Sequence, residues 1–150
     1  MLKIDDLGNR RWHKKLYDGA ILHREDGPAY ESADGDKFWY LNGELHREDG
    51  PACEHKNGSK EYYINGKRHR EDGPAFELDG TKEYWINNKR HRVDGPALER
   101  TNGLKAYCEN GVLHRIDGPA IIKPDGTEEY WINGRRYNSL EEYKMDCALE

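Results

Sequence analysis

His69-Arg70-Glu71-Asp72-Gly73-Pro74-Ala75 is the stretch that decides the fold, because the heptad His-Arg-x-Asp-Gly-Pro-Ala occurs five times in the chain. The copies start at His23, His46, His69, His91 and His114, with spacings of 23, 23, 22 and 23 residues. Self-similarity at a fixed period of this size is the mark of a repeat architecture, in which each unit is one supersecondary element stacked on its neighbours. Between heptads runs a second shared segment, clearest in Asp79-Gly80-Thr81-Lys82-Glu83-Tyr84-Trp85-Ile86-Asn87-Asn88 and in Asp125-Gly126-Thr127-Glu128-Glu129-Tyr130-Trp131-Ile132-Asn133-Gly134. The same frame fits Asp34 to Gly43, Asn57 to Gly66 and Asn102 to Gly111. Gly8 to His13 looks like a partial unit with a longer exit to His23. The array therefore has about five full units and an irregular start.

Each unit carries three turn signals, and the stretches between them are too short for helices, so the units are built of strands. Asp79-Gly80 and Asn65-Gly66 suit two-residue hairpin turns, where positive φ is needed. The third bend, Arg-x-Asp-Gly-Pro, is wider, and its proline belongs at a turn exit or at the first residue of the next strand. The expected fold is all-β: an elongated meander of stacked β-hairpin units of 22 to 23 residues.

Alternation along the strands sorts the aromatics into two rows. Tyr84 and Ile86 share a face with Trp39 and Leu41, Tyr62 and Ile64, and Tyr130 and Ile132. Tyr40, Tyr63, Trp85 and Trp131 point to the other. One row is core, and the second is either buried by the sheet curling on itself or left as an exposed stripe. The fourth unit departs from the pattern, with Cys108 and Glu109 where the others have Tyr or Trp and then Leu or Ile. A charge at a core position is costly unless it reaches solvent, so the face of residue 109 is open there or the unit is distorted. After the last unit, Arg136-Tyr137 replaces Arg-His, and Ser139 followed by Glu142 forms a capping box. Leu140, Tyr143 and Cys147 then lie on one side of a short helix that covers the end of the sheet. The expected divisions are an irregular N-terminal cap over 1–19, the array over 20–137 and a helical cap over 138–150.

Leu, Ile, Val and Phe supply only 24 of 150 residues, a proportion found in disordered chains when net charge is high, but the net charge is only -5. Ten Tyr and four Trp at fixed places replace the missing aliphatics, which implies a folded chain with a thin aromatic core. Three cysteines at unrelated places do not make a disulfide framework and fit a reducing cytoplasm. No stretch has the length and apolarity of a signal peptide or spanning helix, so a soluble cytoplasmic protein without a membrane role is expected. Acidic and basic residues are intermixed, which gives no basic face for direct nucleic-acid binding.

The five heptad histidines invite a metal reading. Equivalent residues should lie about 10 Å apart, two strand spacings, too far to share an ion at about 2.1 Å, so no metal is expected. Their role is a hydrogen bond to a turn or packing against the neighbouring unit. Arg24, Arg47, Arg70, Arg92 and Arg115 have two readings. They pair locally with Asp26, Asp49, Asp72, Asp94 and Asp117, or with Glu31, Glu54, Glu77 and Glu99; otherwise they form a cationic ladder for phosphates or carboxylates of a partner. No nucleophile elbow, phosphate-binding glycine loop or calcium loop is present, and an active site needs one asymmetric constellation, which evenly spread polar residues do not provide. Neither catalysis nor a cofactor is expected. The candidate binding residues are Tyr40, Tyr63, Trp85, Trp131, the five heptad arginines and Glu109, since aromatic and arginine side chains dominate interface energetics.

The period, the Tyr-x-Asn-Gly turn and the recurring Asp-Gly-Pro-Ala resemble MORN-type β-hairpin repeats, in particular the divergent variant found in bacteriophages, giant viruses and bacteria. The ending Trp131-Ile132-Asn133-Gly134-Arg135-Arg136-Tyr137-Asn138-Ser139-Leu140-Glu141-Glu142-Tyr143 resembles the close of phage-type arrays. The resemblance implies an interaction module: a non-enzymatic inhibitor, either a phage counter-defence protein or a toxin-immunity-like protein, that occludes a host or toxin protein. Acting inside an infected cell, it would sit in the host cytoplasm. The alternatives are a binder of small anions or nucleotides that sequesters them, and a structural or scaffold component of a phage.

Overall fold

The computed structural model describes residues 1–16 and 19–148. Among them, fourteen strands form one antiparallel sheet that follows the sequence as a meander, and four two-stranded ladders branch from it. A single short helix, Leu140–Cys147, ends the chain. The expected all-β array of hairpin units is thus the observed architecture.

One unit explains the rest. Strand Phe76–Leu78 turns at Asp79-Gly80 into strand Thr81–Glu83, with Leu78 opposite Thr81 and Phe76 opposite Glu83. At Tyr84 the chain leaves the main sheet: its N–H donates to the Ala97 carbonyl and its carbonyl accepts from the His91 N–H. Trp85–Ile86 then pairs with Lys89–Arg90 in its own ladder. Asn87 and Asn88 make the turn with φ of 50° and 63°, the left-handed pair required by a two-residue hairpin whose twist matches its strands. The other units make this turn with Asn-Gly, because few other residues adopt that region cheaply.

The opposite turns explain the uneven period. In the unit starting at His69, Asp79 and Gly80 alone close the hairpin, both left-handed at φ 45° and 78°. Elsewhere one residue more is used: the N–H of Ser32, His55, Arg100 and Lys123 donates to the carbonyl four residues on, and the glycine N–H donates back. The 22-residue spacing is the shorter turn.

Alternation puts charges on the outer face in a strict order. Glu31, Lys37, Glu54, Lys60, Glu77, Lys82, Glu99 and Lys105 are successive cross-strand neighbours. Each opposite-charge pair contributes a few tenths of a kcal/mol, and together they make the face neutral and well solvated. On the inner face stand Phe38, Cys53, Phe76 and Leu98, with Ala29, Ala52, Ala75, Ala97 and Ala120 forming a spine of zero exposure. Among the described residues no large side chain is fully buried, so the core is thin, as composition implied.

In the N-terminal stretch Trp12 stands where the later units have their first-row ring. Trp12 donates to the Ala29 carbonyl and accepts from His23, as Trp39 does with Ala52 and His46. At the other end Ser139 caps the helix, its Oγ accepting from the Glu142 N–H at 3.2 Å. Tyr143 is buried among Tyr130, Ile132 and Tyr137, with Cys147 packed beside them, whereas Leu140 stands 44% exposed and takes no part in the cap's core.

Candidate functional site

The heptad arginine is held by its own turn. Arg70 Nε donates to Asp72 at 2.8 Å, and Nη1 donates to the Pro74 carbonyl at 3.2 Å and to Glu77 at 3.1 Å. Its guanidinium lies flat over the Tyr62 ring, 4.0 Å from the centroid. Arg24, Arg47, Arg92 and Arg115 repeat this over Trp12, Trp39, Tyr84 and Tyr107 at 4.2, 4.0, 4.0 and 3.9 Å, each with its aspartate two residues on. Arg47 and Arg92 also reach Glu54 and Glu99, while Glu31 turns to Arg10 instead. On the other side of the guanidinium lies the heptad glycine. A Cβ on Gly73 or Gly95 would stand 2.9 Å from the arginine's Cζ, so glycine is required by the close approach of the cation rather than by φ. The arginine hydrogen bond holds Asp26, Asp49, Asp72 and Asp94 below the ordinary carboxylate range.

The histidine fastens each unit to the next. The Nδ1 atoms of His23, His46, His69, His91 and His114 accept from the backbone N–H of Asn42, Asn65, Asn87, Asn110 and Asn133 at 3.0 to 3.3 Å. Each acceptor nitrogen must be unprotonated, which leaves Nε2 turned toward Glu25, Glu48 and Glu71 in the first three copies. Among the described residues no group of three or more His, Cys, Asp or Glu is arranged to hold a metal ion, and no helix is long and apolar enough to cross a membrane.

The second aromatic row is half-buried on the inner face. Tyr63 donates its hydroxyl to Glu61 at 3.0 Å, and Trp85 donates Nε1–H to Glu83 at 3.0 Å. Arg68 pairs with Glu61 and lies over both Tyr63 and Trp85, and Arg90 pairs with Glu83. Burial works against ionisation of Glu61, and the Arg68 hydrogen bond and charge outweigh it, leaving its pKa below the ordinary value. Trp131 repeats the arrangement with Glu129 and Arg136. Tyr40 has no such acid: Phe38 and Leu45 occupy the corresponding places, and burial raises the Tyr40 hydroxyl. In the fourth unit Ala106, Cys108 and Leu113 fill them, and Cys108 pairs with Leu113 in the same register as Trp85 with Arg90. That unit is therefore undistorted, and of the two readings of residue 109 the open face is the observed one. Buried Cys53 has its thiol pushed up to about 12 by desolvation.

Between successive heptad turns lie four open clefts of about 740, 540, 630 and 540 Å³ in chain order. Each has acidic lips and, between the turns, a first-row ring and its neighbour two residues on: Trp39 with Leu41, Tyr62 with Ile64, Tyr84 with Ile86, and Tyr107 with Glu109. Glu109 is half-buried there, and its carboxylate has no hydrogen-bond or ion-pair partner among the described residues. The side chains of Glu25, Asp26, Glu48, Asp49, Glu71 and Asp72 are 83 to 85% exposed, while the heptad arginines are only 22 to 24% exposed. In the last two turns the residue after arginine is apolar and open, Val93 at 76% and Ile116 at 51%.

The structure thus brings the heptad arginines and Glu109 to the clefts and places Tyr40, Tyr63, Trp85 and Trp131 inside, away from them. Sequence reasoning missed the lip residues Glu25, Glu48, Glu71, Val93 and Ile116. They were legible as the one variable position of the heptad. Comparison with known protein families finds no matching family model, and comparison with curated proteins finds no match.

Proposed function

We propose that the array is a non-enzymatic protein-binding module whose working surface is the row of clefts along the heptad turns. The observation that carries this is the distribution of polar groups: the residues that could do chemistry are held in a bond set repeated five times, and the variable, solvent-exposed groups lie together on one edge. The acidic lips oppose the small-anion reading, because an anion entering a cleft meets two to four exposed carboxylates before it meets an arginine whose donors are engaged. The family resemblance adds the inhibitor role: occlusion of a host or toxin protein by a rigid, extended surface. Affinity capture with the full chain from extracts of a susceptible cell tests the reading, alongside the charge reversals Glu48→Lys and Glu71→Lys. The expected result is a macromolecule retained by the native chain and released by the reversals, with unchanged far-UV circular dichroism. Retention of nothing, or the same retention by both chains, contradicts it.

A further inference from the structure

We propose that the clefts receive an extended basic segment of the protein partner, one Lys or Arg side chain in each cleft at every third residue. This rests on the binding-module reading and specifies the partner's chemistry.

The first element of the argument is spacing. Successive heptad turns are separated by two strands of the meander, which sets the cleft period at about 10 Å. A polyproline II segment rises about 3.1 Å per residue with three residues per turn, so every third side chain returns to the same face about 9 Å on. The two periods match without bending either chain.

The second element is the chemistry of each cleft. Leu41, Ile64 and Ile86 offer an apolar wall to the methylene stem of a lysine or arginine. The exposed pairs Glu25 and Asp26, Glu48 and Asp49, and Glu71 and Asp72 offer carboxylates to its head. In the fourth cleft the order is reversed. The lips keep Asp94 and Asp117 but carry Val93 and Ile116 in place of the glutamates, and a further acid, Glu109, stands between the turns. A cation there reaches a carboxylate that no described residue of the chain satisfies, with apolar side chains flanking the entrance. That makes the fourth cleft the anchor, since a half-desolvated charge pair is stronger than one in open water. A segment with aliphatic residues on either side of its terminal cation would fit it best.

The test uses the full chain and two synthetic peptides with five lysines each. One is (Lys-Pro-Pro)5, whose lysines fall on one face; the other is (Lys-Pro-Pro-Pro)5, whose lysines rotate around the axis. Fluorescence anisotropy at two salt concentrations should show the first binding about tenfold more tightly than the second, and Glu109→Gln should weaken it by about tenfold. Equal affinity for the two peptides, or no change in Glu109→Gln with an unaltered melting curve, overturns the proposal. Competition separates its failure from that of the broader reading. A captured partner that (Lys-Pro-Pro)5 does not displace removes the basic-segment proposal and leaves the binding module standing; capture of nothing removes both.

Discussion

In the third unit Glu83, Trp85 and Arg90 join in a charged cluster on the inner face and Ile86 lines the cleft. In the fourth, Ala106, Cys108 and Leu113 take the inner places and Glu109 lines the cleft. The polarity of the two positions is exchanged, yet the strand registers are the same. What the units share is the heptad: the arginine between ring and glycine, the histidine on the next Asn turn, and the buried alanine. Backbone geometry is therefore set by the heptad, and the inner trio and the cleft position are free to differ. Recognition belongs with the positions that differ.

The comparison breaks most visibly if the shared part is damaged. Ala97→Leu forces three extra heavy atoms into a site of zero exposure and should cost about 3 kcal/mol in denaturant unfolding, whereas Val93→Ala in the same heptad should change stability by less than about 0.5 kcal/mol. An intermediate effect is expected inside the third unit. Glu83→Ala leaves Arg90 half-buried without its carboxylate, its Nε already lacking a partner, at about 2 kcal/mol after allowance for the exposure of the arginine. The double change Glu83→Ala with Arg90→Leu copies the fourth unit and should recover most of that loss, leaving a deficit within about 1 kcal/mol. A double variant worse than the single one would show that the inner positions are not interchangeable.

Acid should act on the shared part. Asp26, Asp49, Asp72 and Asp94 have pKa values lowered by their arginines, so they release stability as pH falls through the folded values, below an unfolded value of about 3.9. Melting temperature should hold above that pH and decline beneath it, and Asp72→Asn with Asp94→Asn should flatten the decline. The smallest effect is expected from one residue inserted between Asp79 and Gly80. It restores the longer turn of the other units, and loop length changes of this size cost about 0.5 kcal/mol or less.

Most of this fold was legible in the chain. Period and turn chemistry together dictate a hairpin array, because Asn-Gly and Asp-Gly pairs at fixed offsets leave room only for short strands. The arginine–aspartate pairing was legible too, since the acids recur in step with the arginines. Three features were not. The heptad glycine reads as a turn residue, and its need to admit a guanidinium depends on a ring eight residues before the arginine, or twelve in the first copy, that no local pattern connects to it. That Tyr40, Tyr63, Trp85 and Trp131 line none of the four clefts is the second, because alternation cannot reveal that the chain leaves the main sheet at Trp39, Tyr62, Tyr84 and Tyr107. The third is Leu140, left exposed while Tyr143 and Cys147 pack on the sheet, although helical spacing puts all three on one side.

The separation of scaffold from recognition is tested most directly at one residue. Glu109→Ile gives the fourth unit the side chain its neighbours carry at that place. Paired denaturant unfolding and (Lys-Pro-Pro)5 titration of this variant should show stability within about 0.5 kcal/mol of the native chain and affinity for the peptide reduced by about tenfold. Loss of stability by several kcal/mol, or a variant that binds the peptide as the native chain does, would contradict the division.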